Sequence, residues 1–256
     1  MMLSSRPPLP RAPRPSFRLW AVVFCALAPI ALSSPTSGAA GGARFEAPAS
    51  KTTVPGEEGR QTICTVWRDI TVIERQDGPV SEAARLVRGG EVDCGKVRDD
   101  TGTALDTAGM ALEGRVGPVL LFTAMDPHGA IDFAVVRARD GEVLMQEALI
   151  GSPSFASATV GGDGAVTLKY VRARNAPCSL RQDERGCWEK LVADGAIPGA
   201  MAKRALPKGA CVGSYRKERA PDDDPSIVTW GQVTILAADG SITKSFSETI
   251  GCRPLP

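Results

Sequence analysis

His128 is the only histidine in the 256-residue chain, and it stands in AMDPHGAID, two residues after Asp126 and four before Asp132. An imidazole between two carboxylates could serve as a general base oriented by one of them, or share a metal ion with both. The activity this suggests is a hydrolase using His128 with Asp126 or Asp132. It also needs a nucleophile, and no serine is marked for that part. Asp-Pro and His-Gly steps are turn signals. The favoured reading is an exposed turn between strands, and no catalytic residue is assigned.

Other constellations weaken on inspection. Ser241–Lys244, SITK, has the Ser-x-x-Lys spacing of serine penicilloyl enzymes. That chemistry needs both groups on one helix face, whereas residues three apart in a strand point to opposite faces. HExxH, GxSxG, GxxxxGK[ST] and a strand-following GxGxxG are absent, so no cofactor and no metal are expected. The acidic stretches APDDDPS and RDDTGTALD lack the spaced ligand pattern of calcium loops. Asp183, Glu184, Glu189 and Asp194 crowd one segment, without the facing carboxylate that glycoside hydrolysis demands. Trp67, Trp188 and Trp230 are spread along the chain as core aromatics are.

One apolar run, RLWAVVFCALAPIALSS, decides the compartment. From Leu19 to Leu32 it is fourteen residues long and contains Pro29. A spanning helix needs roughly 20 apolar residues, whereas a signal-peptide core needs about 7–15. Arg6, Arg11, Arg14 and Arg18 precede it with no acidic residue, and the small residues of SPTSGAAGGA follow. Residues 1–39 therefore read as a cleaved signal peptide, and the protein as periplasmic or secreted. Cys25 does not fit lipidation, because Val23 and Phe24 precede it and the apolar core continues past it.

Removing that segment leaves 26 basic against 29 acidic side chains and few aromatics. A mildly acidic chain of this kind is not a nucleic-acid binder, and it has no stable membrane anchor. Its partner is unknown, with an envelope protein or a glycan as candidates. Six cysteines remain: Cys64, Cys94, Cys178, Cys187, Cys211 and Cys252. None has the two-to-four-residue spacing of a zinc site, and an even number in an exported chain signals disulfides. Cys211–Cys252 is expected because ACVGSYR is read as a strand beside the last one. Cys64–Cys94 and Cys178–Cys187 follow from proximity alone.

The elements must then position what chemistry there is. Residues 40–60 have almost no large apolar side chains and are expected to form a mobile leader. Residues 61–256 are expected to form one disulfide-bonded, mainly β domain, with a sub-boundary near 175 as the alternative. TICTVWRDITVIER is β-rich, SEAARLVRGG is read as a helical turn, EVDCGKV as a short strand, and RDDTGTALDTAGMALEGR mostly as loop. VGPVLLFTAM is a buried strand. Three segments repeat one local pattern, a β-rich run, an Asp-Gly turn and another β-rich run: IDFAVVRARDGEVLMQEAL, FASATVGGDGAVTLKYVRA and VTWGQVTILAADGSITKSFSETI. Asp-Gly supplies the positive φ of tight hairpins. In the last strand Ser241, Thr243, Ser245, Ser247 and Thr249 line one face, which is expected to be solvated. Trp188, Leu191 and Val192 stand at helical spacing, and Gly195 and Pro198 supply the stop.

A helix starting at Ser179 would hold Cys178 and Cys187 about 13 Å apart, too far for a disulfide. That start and a Cys178–Cys187 bond exclude each other; the bond is favoured, which places the helix near 184–194. The fold expected is antiparallel hairpins forming a sandwich or open barrel with that one covering helix. The function expected is an exported envelope protein without an evident catalytic motif, acting as a non-enzymatic binding or structural module.

Overall fold

The structure is a computed structural model and describes residues 43–78, 80–124, 130–151, 154–203, 206 and 209–255. The segment from Ala40 to Pro256 is one compact unit. Among the described residues, mainly antiparallel β structure forms two sheets with three short α-helices.

The first sheet runs β1 (Ser50–Pro55), β2 (Arg60–Val66), β3 (Ile70–Asp77), β4 (Val80–Arg88) and β5 (Thr103–Leu105), each strand pairing with the next. The second holds β6 (Met110–Val116), β7 (Val119–Ala124), β8 (Ile131–Arg137), β9 (Val143–Leu149), β10 (Ser157–Val160), β11 (Val166–Asn175), β12 (Ser226–Leu236) and β13 (Ile242–Pro254). Its order is β13-β12-β11-β9-β8-β7-β6, with β10 also on β11. Each of the three Asp-Gly hairpins is present, as β8–β9, β10–β11 and β12–β13.

Alternation along the strands sorts the apolar residues into layers. One face of β7 and β8 (Leu120, Phe122, Ala134, Val136) packs against Val72, Ala84 and Leu86 of the first sheet. The opposite face (Leu121, Phe133, Val135) shares a core with Val166, Leu168 and Tyr170 of β11. Because β7 and β11 are not neighbours in the sheet, the second sheet must curl over that core, yet it does not close into a barrel. Phe133, Phe155 and Tyr170 meet edge to face there, with centroids 5.0–5.9 Å apart, the arrangement that ring quadrupoles favour.

Beyond this core the long strands β11–β13 continue, and the helices cover them. Helix α1 (Glu184–Ala193), α2 (Gly199–Ala202) and α3 (Val212–Glu218) bury Trp188, Leu191, Met201 and Tyr215 against Val228, Trp230 and Ile250. Asp183 caps α1 by accepting the Gly186 N–H at 2.9 Å. Ser179 Oγ instead accepts the N–H groups of Arg181 and Gln182, each at 3.2 Å. The segment between Cys178 and the helix is thus a turn, closed by the Cys178–Cys187 bond. Cys64–Cys94 and Cys211–Cys252 are the other two disulfides.

The structure departs from the sequence reading at several elements. Residues 43–60, within the expected mobile leader, are built into the fold. Strand β1 pairs with β2 along its whole length while its side chains stay mostly in solvent, because ladder pairing uses the backbone and needs no apolar side chains. Upstream of it, the Arg44 N–H donates to Ala158 O at 3.4 Å and the Glu46 N–H to Arg115 O at 2.8 Å. This strap therefore lies between β6 and β10, on either side of the gap the curled sheet leaves. Phe45 lies against Gly114, where any Cβ would stand 2.5 Å from the ring.

SEAARLVRGG forms β4 rather than a helical turn. Its good helix formers are overridden by alternation, with Ala84 and Leu86 inward and Arg85 paired across to Ile73. EVDCGKV is a 3-10 turn over Cys94–Lys96, with Asp93 accepting the Gly95 N–H. The expected loop 98–115 contains β5 and most of β6. ACVGSYR is the start of α3, so Cys211–Cys252 joins a helix to β13 rather than two strands.

Candidate functional site

The three Asp-Gly hairpin turns share a device. Asp140, Asp163 and Asp239 each accept, through Oδ1, the N–H two residues on, at 3.2, 3.0 and 2.8 Å. Such Asx turns stiffen the chain reversal locally. Residues from all three turns, together with Pro118 of the β6–β7 turn, border a cleft of about 440 Å³. Its apolar walls are Val119, Leu144, Val166 and Leu236, which also belong to or pack on the core inside the curled sheet. The cleft is thus the uncovered end of that core, whereas the helices cover the far ends of β11–β13.

Charged groups stand at the rim. Arg115 Nη1 and Nη2 donate to Asp69 Oδ1 and Oδ2 at 2.5 and 3.0 Å, and its Nε to Gly117 O at 2.9 Å. Hydrogen bonding to that guanidinium holds the Asp69 carboxyl below its ordinary pKa, against a smaller effect of burial. Arg137 lies two strands further on, on β8. It makes its ion pairs with Asp140 and Glu142 through Nη1, at 3.0 and 2.8 Å. Its Nη2 reaches across to the β12–β13 turn, 3.8 Å from where a Cβ on Gly240 would stand. Arg139 is mostly exposed and pairs with Asp140 through Nε at 3.1 Å. Asp239 is held below its ordinary pKa chiefly by the Ser241 N–H.

A second polar cluster lies deeper, between the curled-sheet core and the helical cap. Glu147 accepts from Tyr170 OH, from Gln232 Nε2 at 2.8 Å and from Lys244 Nζ at 2.6 Å, and Arg172 Nε stands 3.4 Å away. Burial works against its charge, but the Lys244 and Tyr170 hydrogen bonds and the Arg172 charge outweigh it, so its pKa lies below the ordinary value. Burial and the hydrogen bond to Glu147 push the Tyr170 phenol far up. Both Glu147 oxygens are partnered. The cluster is an ionic seam that holds β9, β11, β12 and β13 in register.

Asp132 lies exposed on β8, five residues from Arg137 and so about 17 Å along the strand from the cleft. Asp126 and His128 lie outside the described residues. Among the described residues, no group of three His, Cys, Asp or Glu side chains could hold a metal ion. Trp67, Trp188 and Trp230 are all buried. The sequence reading missed Arg115 and Arg137. Each Asp-Gly turn was visible, but only the topology shows that all three border one cleft. No protein-family model, curated protein or solved structure matches the chain.

Proposed function

We propose that the chain is an exported, non-enzymatic binding module that holds a small, largely apolar ligand in the cleft at the open end of its curled sheet. The observation that carries this reading is the cleft itself: apolar walls continuous with the core, a few fixed polar groups at the rim, and a volume within the roughly 300–1,000 Å³ typical of small-molecule sites. Three disulfides favour an oxidising compartment, and the short apolar run with its basic flank favours delivery by a signal peptide over residues 1–39. Among the described residues no helix is long and apolar enough to cross a membrane.

The test fills the cleft from its edge. Ala238 lies exposed in the β12–β13 turn and borders the cleft. A neutral naphthylamine dye should brighten on binding the wild type. Ala238→Trp should abolish that signal while melting like wild type. An undiminished signal in the variant would place the dye elsewhere and remove the support for this site.

A further inference from the structure

We infer that the ligand of this cleft is an amphiphile with a single anionic head, a carboxylate or its like, received by Arg137 above a short apolar tail. This rests on the binding reading given above.

The rim charges are not equivalent. Arg115 is the more heavily engaged: both Nη atoms donate to Asp69 and Nε donates to Gly117 O. Of the carboxylates that line the cleft, Asp69 is paired with Arg115, and Asp239 accepts the N–H of its own turn through Oδ1. The charge of Asp239 is not neutralised by that N–H, but it is exposed to solvent, where its attraction for a cationic ligand is screened. Arg139 is open to solvent, where its attraction is screened. Arg137 differs. Its side chain is only 20% exposed, and its closest approaches to Asp140 and Glu142 are through Nη1. The Nη2 side of the fork lies against Gly240, across the cleft from its own hairpin.

A guanidinium is a planar fork of donors matched to carboxylate and phosphate oxygens. Leu144 and Leu236 line the same cleft and offer an apolar wall. An anion bound to Arg137 would thus lay its tail toward the core.

The test uses the disulfide-bonded protein, with octanoate and octanol as probes and titration calorimetry at neutral pH. Octanoate should bind about tenfold tighter than octanol or better, as a charge-assisted hydrogen bond implies. Arg137→Gln should collapse that difference. Because Arg137 also ties its own hairpin, a second variant guards against misfolding: Ala238→Asp, in an exposed turn, should weaken octanoate more than octanol. Equal affinity for the two probes, or a preference that survives both variants, overturns the anionic head and leaves the apolar cleft standing. Binding of neither probe overturns both readings together.

Discussion

Glu74 is 1% exposed and faces the second sheet from β3, with Oε1 accepting the Leu112 N–H of β6 at 2.8 Å. Burial raises its pKa above the ordinary 4.5, while the Leu112 hydrogen bond, the Lys51 charge and Gln76 pull the other way without prevailing. An acid with a raised folded pKa contributes its full stability below the unfolded value and loses it as pH rises through the folded one. Glu74→Gln keeps the acceptor oxygen and removes the charge. It should therefore melt higher than wild type at about pH 7, with the gain shrinking toward about pH 4. Thermal melts at the two pH values decide this, and a variant less stable at neutral pH would refute it. Glu147 shows the opposite balance, because it has gathered Lys244, Tyr170 and Arg172 around it. Nothing in the local sequence distinguishes these two glutamates. Each sits in a β-rich run, and its partners come from strands far along the chain.

Helix α1 is ten residues long, too short to stand alone in water. Its stability must come from the face carrying Trp188 and Leu191, which packs on Val228, Trp230 and Ile250, and from the bond at Cys187. Trp188→Ala should cost about 3–5 kcal/mol, whereas Arg185→Ala, on the wet face, should leave the denaturation midpoint almost unchanged. Denaturant titration of the two variants beside wild type reads both. This helix was legible because its signals are local: spacing, a capping Asp183 and a Gly-Pro stop. The Asp-Gly hairpins were legible for the same reason. Strand β4 was not, since Ala, Glu, Arg and Leu favour a helix and only pairing with β3 and β5 makes their alternation count. Helix α3 was missed because its seven residues carry too little periodicity to oppose a β reading. The Cys211–Cys252 pair was expected correctly from a mistaken neighbour. Ser214 Oγ and the disulfide bring α3 to the Cys252 end of β13, the place assigned to a strand.

At the scale of the molecule, three disulfides secure different parts of the chain. One lies within the first sheet and its flanking turn, one at the start of α1, and one between α3 and β13. The loops they close, from 9 to 41 residues in sequence separation, correspond to about 2.5–4 kcal/mol each in the chain-entropy description. A total stability of about 5–15 kcal/mol leaves little if all three are reduced. Reduction should therefore unfold the protein at moderate temperature, and far-UV circular dichroism with and without reductant checks it. A reduced protein that keeps its β signal and its melting point would show that the layered core suffices. The cleft itself was not legible in the sequence, because it exists only where β6–β7 and the three Asp-Gly turns are brought to one end by the curl of the second sheet.

The strap at residues 44–46 makes the beginning of the described chain a closing piece for strands synthesised long after it. Arg44 must wait for Ala158, and Glu46 for Arg115 and Gly117. A chain threaded amino end first through a narrow conduit would leave this segment without a seat until most of the second sheet had followed. Such long-range closure slows folding. It also makes docking of the strap one of the last steps in the assembly of the domain.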